Sequence, residues 1–266
     1  MPRNDSINQA ERFLRERGNV QRAEKEQAYL KSPNPMFGCG VPAVRKAASQ
    51  LLRRNPDITE PELLAIIETF WAHSIHEMKS VAIILCQYGN DRFSREALPT
   101  LESLLAEVTG WDHCDWLAIH GIGPLLERHP RIRTRLLRRW SQHESHWVRR
   151  SSLHSQILAF RDGCGDLPLF DALARRLVSE TEFFIQKGLG WTLRELVPHH
   201  PEYVTDFVRD CLDVMGQVAF HEATRKLPPE TAQPLRDRRV AHRRMAQRNT
   251  GNKNSPKSAP RKTPVS

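Results

Sequence analysis

The 266-residue sequence lacks long apolar runs, paired cysteines and a glycine-rich phosphate loop. No apolar stretch reaches the roughly 18 residues that a transmembrane helix needs, and the N-terminus opens no hydrophobic signal region. The five cysteines are scattered, odd in number and form no C-x-x-C pair, which disfavours a zinc module and indicates reduced thiols. These absences predict a soluble, cytoplasmic protein without a nucleotide cofactor.

The surplus of basic residues lies at the C-terminal end. Residues 225–266 hold 12 of the 40 Lys and Arg residues but 2 of the 31 Asp and Glu residues, so the other 224 residues carry 28 basic and 29 acidic groups. The same segment has few apolar residues, which favours disorder. We therefore predict a globular domain over 1–225 and a basic, largely disordered tail over 226–266. Within the tail, 236–248 could form a short helix when it binds an anion.

Helical periodicity runs through almost all of the globular part. Apolar residues recur with i, i+3, i+4, i+7 spacing, and no alternating strand pattern competes with it. Clear examples are 44–52, 66–71, 81–88, 98–105 and 169–177. Turn-forming clusters separate these segments, and Thr59 and Ser145 are suitable N-cap residues. The pattern predicts an all-α chain of about a dozen helices.

An internal repeat organises these helices. Similar helical segments open at Ile75, Trp111, Trp147 and Phe183, and successive openings are 36 residues apart. Helix-pair repeats of this length are close to the HEAT range and stack into a curved solenoid with a concave face. We therefore expect a HEAT-like solenoid in which the second helix of each pair lines the concave face.

Aromatic, acidic and basic side chains occur within these repeats. Trp111 and Asp115 are four residues apart, so they share one face of a helix. Trp191 and the pair Arg149-Arg150 lie in later segments of the repeat. Such residues could form one binding site. The aromatic and acidic side chains would bind a cationic group, and the basic side chains would bind the anionic polymer that carries it. An alkylated purine in DNA fits this description.

Five linked motifs occur in order between about residue 29 and residue 223. They are Ala28-Tyr29-Leu30-Lys31 with Phe37-Gly38, Val41-Pro42 with Arg45, Trp111-Asp112 with Asp115, Trp147-Val148 with Arg150, and FFIQKGLGWTLRE at 183–195. Together they resemble the motifs of the AlkD-like DNA alkylation repair glycosylases. The likeness covers most of the globular part.

The resemblance implies a C-shaped, HEAT-like fold with a concave DNA-binding groove. It implies removal of N3- and N7-alkylated purines without a metal or an organic cofactor. Trp111 and Trp191 would be the aromatic catalytic residues and Asp115 the catalytic carboxylate. Arg150 would hold the DNA backbone, and Tyr29 would border the lesion. Members of this family leave the damaged base stacked, so the base flipping of other glycosylases is not expected.

The sequence departs from the family pattern at two places. Gly110 stands where the family often has a second tryptophan, and the stretch 219–223 replaces a basic Arg-Arg-Glu-Ala sequence. One groove contact of the family is therefore not matched, and the basic tail could replace it. Because Trp111, Asp115 and Trp191 are all present, we expect an active member.

The expected chemistry of Asp115 follows from the nature of the leaving group. N-alkylation makes the purine cationic, so the glycosidic bond breaks without a strong general acid. An ionised carboxylate can then stabilise the oxocarbenium-like sugar and orient water. Aromatic faces beside it favour the developing positive charge. One aspartate between two tryptophans is therefore sufficient, and paired carboxylates are not required.

Alternative interpretations exist for individual charged residues. Asp115 could be a solvated or helix-capping aspartate, and Asp112 competes with it for the catalytic role. We prefer Asp115 and give Asp112 a supporting role. Arg149, Lys187 and Arg194 are candidate DNA contacts, or alternatively part of a solvated basic face.

The remaining aromatic, histidine and cysteine residues indicate structural roles. Trp71 and Trp140 are expected in the core. His73 and His76 are three residues apart, but no acid or cysteine completes a metal site at ligand spacing. Cys114 has no His/Asn partner pattern and is expected to be a packing residue. We therefore predict no metal site.

The sequence thus predicts a monomeric, all-α DNA glycosylase that acts on cationic N-alkylpurines in double-stranded DNA. Its basic tail would tether it to DNA without sequence preference, or would be only a solubilising extension. A rival interpretation is a non-catalytic HEAT-type module that binds DNA structure or a protein partner. Only the glycosylase requires a carboxylate at position 115.

Overall fold

The computed structural model describes residues 2–253, with side chains for 5–242 and for 244 and 245. Within this part of the chain the regular structure is entirely helical, which confirms the predicted all-α class. None of the helices in the described range is long and apolar enough to cross a membrane.

Sixteen α-helices follow one another along the described chain. They are α1 (Pro2–Arg15), α2 (Val20–Leu30), α3 (Gly40–Arg54), α4 (Glu60–Trp71), α5 (His76–Tyr88), α6 (Leu98–Ala106), α7 (Trp111–Trp116), α8 (Gly123–Glu127), α9 (Pro130–Trp140), α10 (His146–His154), α11 (Ile157–Arg161), α12 (Leu167–Leu177), α13 (Phe183–Leu196), α14 (Pro201–Asp210), α15 (Gln217–Ala223) and α16 (Pro229–Lys253). Two 3-10 turns, Asn90–Arg92 and Arg95–Ala97, precede α6, and a π-helical segment, Leu117–Ile122, joins α7 to α8.

The 36-residue repeat appears in both the helix starts and the contacts between helices. The predicted segments open at the first turn of α5, α7, α10 and α13 or at the residue before it. Trp71 Nε1 donates to Glu107 Oε2 at 2.9 Å, across 36 residues. Arg161 Nε donates to Glu195 Oε2 at 2.8 Å, across 34 residues. Such bonds join each repeat to the next, as in a stacked helical-repeat array.

One apolar core extends from α1 to α16. Trp71 and Trp140 are 4% and 2% exposed, so their predicted core positions are confirmed. Trp140 Nε1 donates to Glu102 Oε1 at 2.6 Å, which satisfies the buried indole N–H. Trp147 packs between helices, with its ring centroid 4.6 Å from that of Phe184.

The two predicted N-caps differ in how they act. Thr59 and Ser145 precede α4 and α10, as expected. Glu62 Oε2 accepts from the Thr59 backbone N–H at 3.0 Å and from its hydroxyl at 2.7 Å, which forms the reciprocal part of a capping box. The Ser145 side chain makes no cap hydrogen bond. Only the first of these residues therefore caps its helix through its side chain.

A wide helical turn lies directly after the predicted site residues of α7. Pro124 has no N–H to donate into the helical ladder. Gly123 approaches the neighbouring backbone so closely that a Cβ there would lie 2.3 Å from the Ser155 carbonyl oxygen. The π-helical segment therefore occurs where a missing donor and a close backbone contact coincide.

The C-terminal region differs from the expected disordered tail. In α16, Ala232 and Leu235 are 1% and 5% exposed. Arg239 is 7% exposed and donates from Nη1 and Nη2 to the backbone carbonyls of Leu212 and Met215, at 3.1 and 2.6 Å. A short apolar stripe and one buried arginine therefore attach the first turns of α16 to the globular part, so this part of the predicted tail is helical and packed.

The rest of the predicted tail is described only in part. The segment 236–248, predicted as a conditional helix, lies inside α16. Residues 254–266, which belong to the stretch predicted to be disordered, lie outside the described residues.

Candidate active site

Four of the predicted site residues line one cleft, and Arg150 lies directly behind it against Asp115. Trp111 and Asp115 lie one turn apart on α7, Arg150 lies on α10 and Trp191 lies on α13. Tyr29, Trp111, Asp115 and Trp191 all line a cleft of about 570 Å³. The i, i+4 spacing in α7 and the stacking of successive repeats explain why residues distant in sequence converge here.

The wall of the cleft is mainly apolar and aromatic. Its apolar lining includes Leu30, Met36, Val41, Val44, Ile83, Ile84, Trp116 and Ile119. At its mouth, Tyr29 is 73% exposed and meets Trp111 edge to face, with ring centroids 6.0 Å apart and planes at 88°. Such a wall lowers the local dielectric, so charges that line it act more strongly than in water.

Asp115 is 7% exposed, and two side chains of α10 hold its carboxylate. Arg150 donates from Nε to Oδ1 at 2.7 Å and from Nη2 to Oδ2 at 2.8 Å. His154 Nδ1 lies 2.9 Å from Oδ1. Among the described residues, Oδ1 therefore has two partners and Oδ2 has one. Since a carboxylate has about four lone-pair positions, Oδ2 keeps acceptor capacity.

The partners of Asp115 keep it ionised in spite of its burial. Burial on its own raises the pKa of Asp115, but His154 and Arg150 outweigh it and lower the pKa to about 2. Burial and the Arg150 charge also lower the pKa of His154 below its usual value. The imidazole is therefore neutral at neutral pH and acts as a hydrogen-bond donor, while Arg150 supplies the compensating charge.

Gly188 of α13 makes room for this group. A Cβ at this position would lie 2.9 Å from Arg150 Nη1 and 3.0 Å from His154 Nε2. Arg150 Nη1 also donates to the backbone carbonyl of Phe184 on the same helix. Packing therefore explains why position 188 is a glycine. Any larger residue there would press on Arg150 and His154, the two partners of Asp115.

Asp112, which lines the same cleft as Asp115, connects α7 to neighbouring elements. His76 Nε2 lies 2.8 Å from Asp112 Oδ2, and His76 Nδ1 lies 3.0 Å from Ser32 Oγ. Burial raises the pKa of Asp112, but the hydrogen bond to His76 and the nearby His113 lower it overall. This network links α7 to α5 and to the loop that follows Tyr29.

His76, Asp112 and His113 form a group of metal-ligating types that the sequence spacing did not reveal. Their ligand atoms lie within 4.8 Å of one another, although His76 precedes the other two by a full repeat. The two imidazole rings are stacked, with centroids 4.1 Å apart and planes at 17°. Because a ring nitrogen coordinates a metal in the plane of its ring, stacked rings do not converge on one ion. The arrangement is that of a hydrogen-bonded packing cluster.

The predicted DNA contacts differ in how exposed they are. Tyr29 and the Lys187 side chain are 73% and 43% exposed. Arg150, expected to hold the DNA backbone, is 3% exposed and is directed at Asp115 instead. Arg149 donates from Nε and Nη2 to Glu180, each at 2.9 Å. Interhelical packing therefore turns the buried Arg150 toward Asp115, whereas Arg149, at 19% side-chain exposure, is paired with Glu180 but stays partly exposed.

Lys187 and Arg194 share one acid, Glu222. Lys187 Nζ lies 2.5 Å from Glu222 Oε1, and Arg194 pairs with the other carboxylate oxygen. Glu222 lies in the stretch where the sequence departs from the family pattern. That stretch also packs on α13, since a Cβ at Gly190 would lie 2.6 Å from the Ala219 carbonyl oxygen. It therefore supports α13 and partly neutralises its cations.

His154 is the site residue that sequence reasoning missed. Its signal was available, since it follows Arg150 by four residues and so lies on the same face of α10. Cys114 is fully buried and donates to the Trp147 carbonyl at 3.4 Å. Burial raises the pKa of Cys114 to about 12, so the thiol is not a nucleophile.

Comparisons with known proteins identify a family and a shared fold. Residues 10–227 match the sequence profile of the DNA alkylation repair enzyme family. A solved structure described as a predicted DNA alkylation repair enzyme from Enterococcus faecalis has a TM-score of 0.73 at 24% identity, covering 80% of this chain and 98% of that chain. AlkD2 from Streptococcus mutans has a TM-score of 0.55 at 13% identity, covering 78% of this chain and 97% of that chain. No curated protein matches the sequence.

The two kinds of comparison carry different weight. At these identities, the likeness to the solved structures shows the helical-repeat fold alone. The profile covers most of the chain and includes every motif on which the resemblance was based. The chain therefore belongs to the DNA alkylation repair enzyme family, which confirms the resemblance of its motifs to those of the AlkD-like proteins.

Proposed function

We propose that this DNA alkylation repair enzyme is a glycosylase that hydrolyses the N-glycosidic bond of cationic N3- and N7-alkylated purines in duplex DNA. The observation that carries this function is the ionised Asp115 in an apolar cleft that it shares with Trp111 and Trp191. A charge in such a place is costly unless it is paired. A carboxylate held ionised between aromatic residues suits a substrate that is cationic.

The alkylated purine leaves with its own positive charge neutralised, and an oxocarbenium-like sugar remains. Asp115 stabilises that cation electrostatically and orients the attacking water. Because its pKa is about 2, Asp115 is a weak general base at neutral pH, so its contribution is electrostatic more than proton abstraction. The faces of Trp111 and Trp191 favour the same positive charge.

The DNA contacts of this glycosylase are Tyr29 at the mouth of the cleft and the partly exposed Lys187. The ion-paired Arg149 and Arg194, at 19% and 18% side-chain exposure, contribute further positive charge. Arg150 is a positioning residue that fixes the plane of the Asp115 carboxylate through its paired N–H groups. The enzyme acts as a monomer in the cytoplasm, leaves the damaged base stacked and uses neither metal nor organic cofactor. These properties extend the expectations from the sequence.

A second candidate function is non-catalytic binding of DNA structure. It is favoured by one observation, the bidentate pairing of Asp115 with Arg150, because buried pairs of this kind also occur for purely structural reasons. A binding module of this type needs the helical-repeat surface but no ionised acid at position 115. The two functions therefore differ in what a substitution of Asp115 does.

Release of 7-methylguanine and 3-methyladenine from methylated duplex DNA distinguishes them. We expect release by the wild type and a loss on the order of 100-fold or more in Asp115→Asn. The exposed Asp162→Asn is the matched control and should release both bases at the wild-type rate.

Thermal unfolding and binding to the same duplex complete this experiment. Disturbing a buried pair costs about 3–5 kcal/mol, so Asp115→Asn must be shown to be folded at the assay temperature. Salt-dependent DNA binding by a wild type that releases neither base would reject the glycosylase and leave the binding module.

A further inference from the structure

We propose that His154 is a positioning residue for the glycosylase reaction, which it serves by occupying Asp115 Oδ1 and leaving Oδ2 as the oxygen that faces the sugar and water. This role rests on the proposed glycosylase function. The His154 side chain is fully buried and cannot contact DNA, so it acts only through its neighbours.

His154 contacts both an acid and an aromatic residue of the cleft. Its Nδ1 lies 2.9 Å from Asp115 Oδ1. Its ring meets Trp191 edge to face, with centroids 4.9 Å apart and planes at 77°. A single buried imidazole therefore fixes the relative position of the carboxylate on α7 and the tryptophan on α13.

Arg150 alone does not distinguish the two carboxylate oxygens. It gives one N–H to each of them, at 2.7 and 2.8 Å. His154 removes this symmetry, because its hydrogen bond adds a second partner to Oδ1 only. The remaining acceptor position of the group then lies on Oδ2. An oriented water needs one defined acceptor, and misplacement by about 1 Å can reduce a rate about 100-fold.

The surroundings of His154 indicate which ring nitrogen carries the proton. His154 Nε2 lies 3.4 Å from the Gly188 carbonyl, a long contact. That carbonyl also accepts from Thr192 Oγ1 at 3.0 Å, so it does not depend on His154. Nδ1 faces an ionised carboxylate and requires a donor. The neutral imidazole is therefore the Nδ1–H tautomer.

Two substitutions separate the hydrogen bond from the volume of the side chain. In His154→Asn the amide nitrogen lies close to where Nδ1 is, whereas in His154→Gln the amide reaches the position of Nε2. We expect His154→Asn to keep a donor to Asp115 and His154→Gln to lose it. Ser152→Ala is the control on the same helix, since Ser152 bonds the Arg149 carbonyl and not Asp115.

The readout is the single-turnover rate of 7-methylguanine release at saturating enzyme, with the Kd for the same duplex measured in parallel. We expect a decrease of about tenfold to 100-fold in His154→Gln with an unchanged Kd. His154→Asn should stay within about threefold of the wild type, and Ser152→Ala should match it. A general loss of folding would lower both rate and binding and would not be rescued by asparagine.

Two further results bear on the role. NMR of the wild-type imidazole should show the proton on Nδ1, and a proton on Nε2 alone would overturn the assignment. Equal rates in His154→Gln and the wild type would reject the role of His154 while leaving the glycosylase intact. Absence of release from the wild type would instead reject the proposed function, and the role with it.

Discussion

Gly188 controls the geometry around Asp115 from the opposite helix. In Gly188→Ala the new Cβ would lie 2.9 Å from Arg150 Nη1 and 3.0 Å from His154 Nε2, so both side chains must shift. We expect the rate of base release to fall about tenfold, because the carboxylate that these two side chains hold must move with them.

Stability should respond less than activity to Gly188→Ala. Alanine favours a helix over glycine by about 1 kcal/mol, whereas overpacking a core costs about 1–3 kcal/mol. Urea unfolding should therefore show a small net loss, and duplex binding should be retained. A variant that releases 7-methylguanine at the full rate would show that the Asp115 group tolerates displacement.

The sequence predicts individual site residues better than it predicts their partners. Trp111 and Asp115 share a helix face because of their spacing, and this follows from helical geometry alone. The Arg150 side chain turns toward Asp115 because α7 packs against α10. Residues near Arg150 in the sequence do not reveal this contact between helices. Arginine is mostly exposed in folded proteins, so sequence analysis predicts an exposed position for an arginine that is in fact buried.

α16 tests whether basic residues outside the repeats contribute to DNA binding. Arg236, Arg238 and Arg244 are exposed on this helix, while Arg239 is buried. We expect the triple substitution of the exposed arginines by glutamine to weaken duplex binding mainly at low salt. The slope of log K against log salt should decrease by up to about 3, one counterion for each charge removed.

Arg239→Gln is the control for this triple substitution. Arg239 is buried and donates to the backbone carbonyls of Leu212 and Met215, so it does not face solvent. Arg239→Gln should lower the unfolding midpoint and leave the salt slope unchanged. If the triple variant kept both its affinity for duplex DNA and its salt slope, α16 would have a structural role only. Truncation before α16 is less informative, since it would also expose the core surface that Ala232 and Leu235 cover.

Helix positions and the repeat length were predictable, whereas the ends and irregular turns were not. The 36-residue spacing and the helical periodicity arise from core packing, which leaves a regular signal in the sequence. The π-helical segment coincides with the close approach of Gly123 to the Ser155 backbone, and only the fold creates that contact. In α16, arginines dilute the apolar signal of Ala232 and Leu235, so composition indicated disorder where packing exists.

The whole molecule should lose stability at mildly acidic pH because it buries neutral histidines. Burial lowers the pKa of His113 from 6.5 to about 3, and the pKa of His154 is lowered in the same way. Between pH 6.5 and about 3 the unfolded chain binds a proton at His113 that the folded chain does not bind. The free energy of unfolding therefore falls as the pH falls through this window.

The size of this effect can be measured by urea unfolding at pH 7.5 and pH 5. One such group contributes about 1.4 kcal/mol per pH unit, so His113 alone should cost about 2 kcal/mol between pH 6.5 and pH 5. Asp115 adds a loss in the same direction only below its unfolded pKa of 3.8, outside this range.

His113→Gln isolates the contribution, because it keeps a polar group for Ser80 Oγ, which lies 2.9 Å from His113 Nε2, and removes the titration. We expect the wild type to lose about 2 kcal/mol more than His113→Gln over this pH interval. His154 titrates in both proteins, so its effect cancels in the difference. Equal losses in the two proteins would mean that His113 binds its proton in the folded state at pH 5.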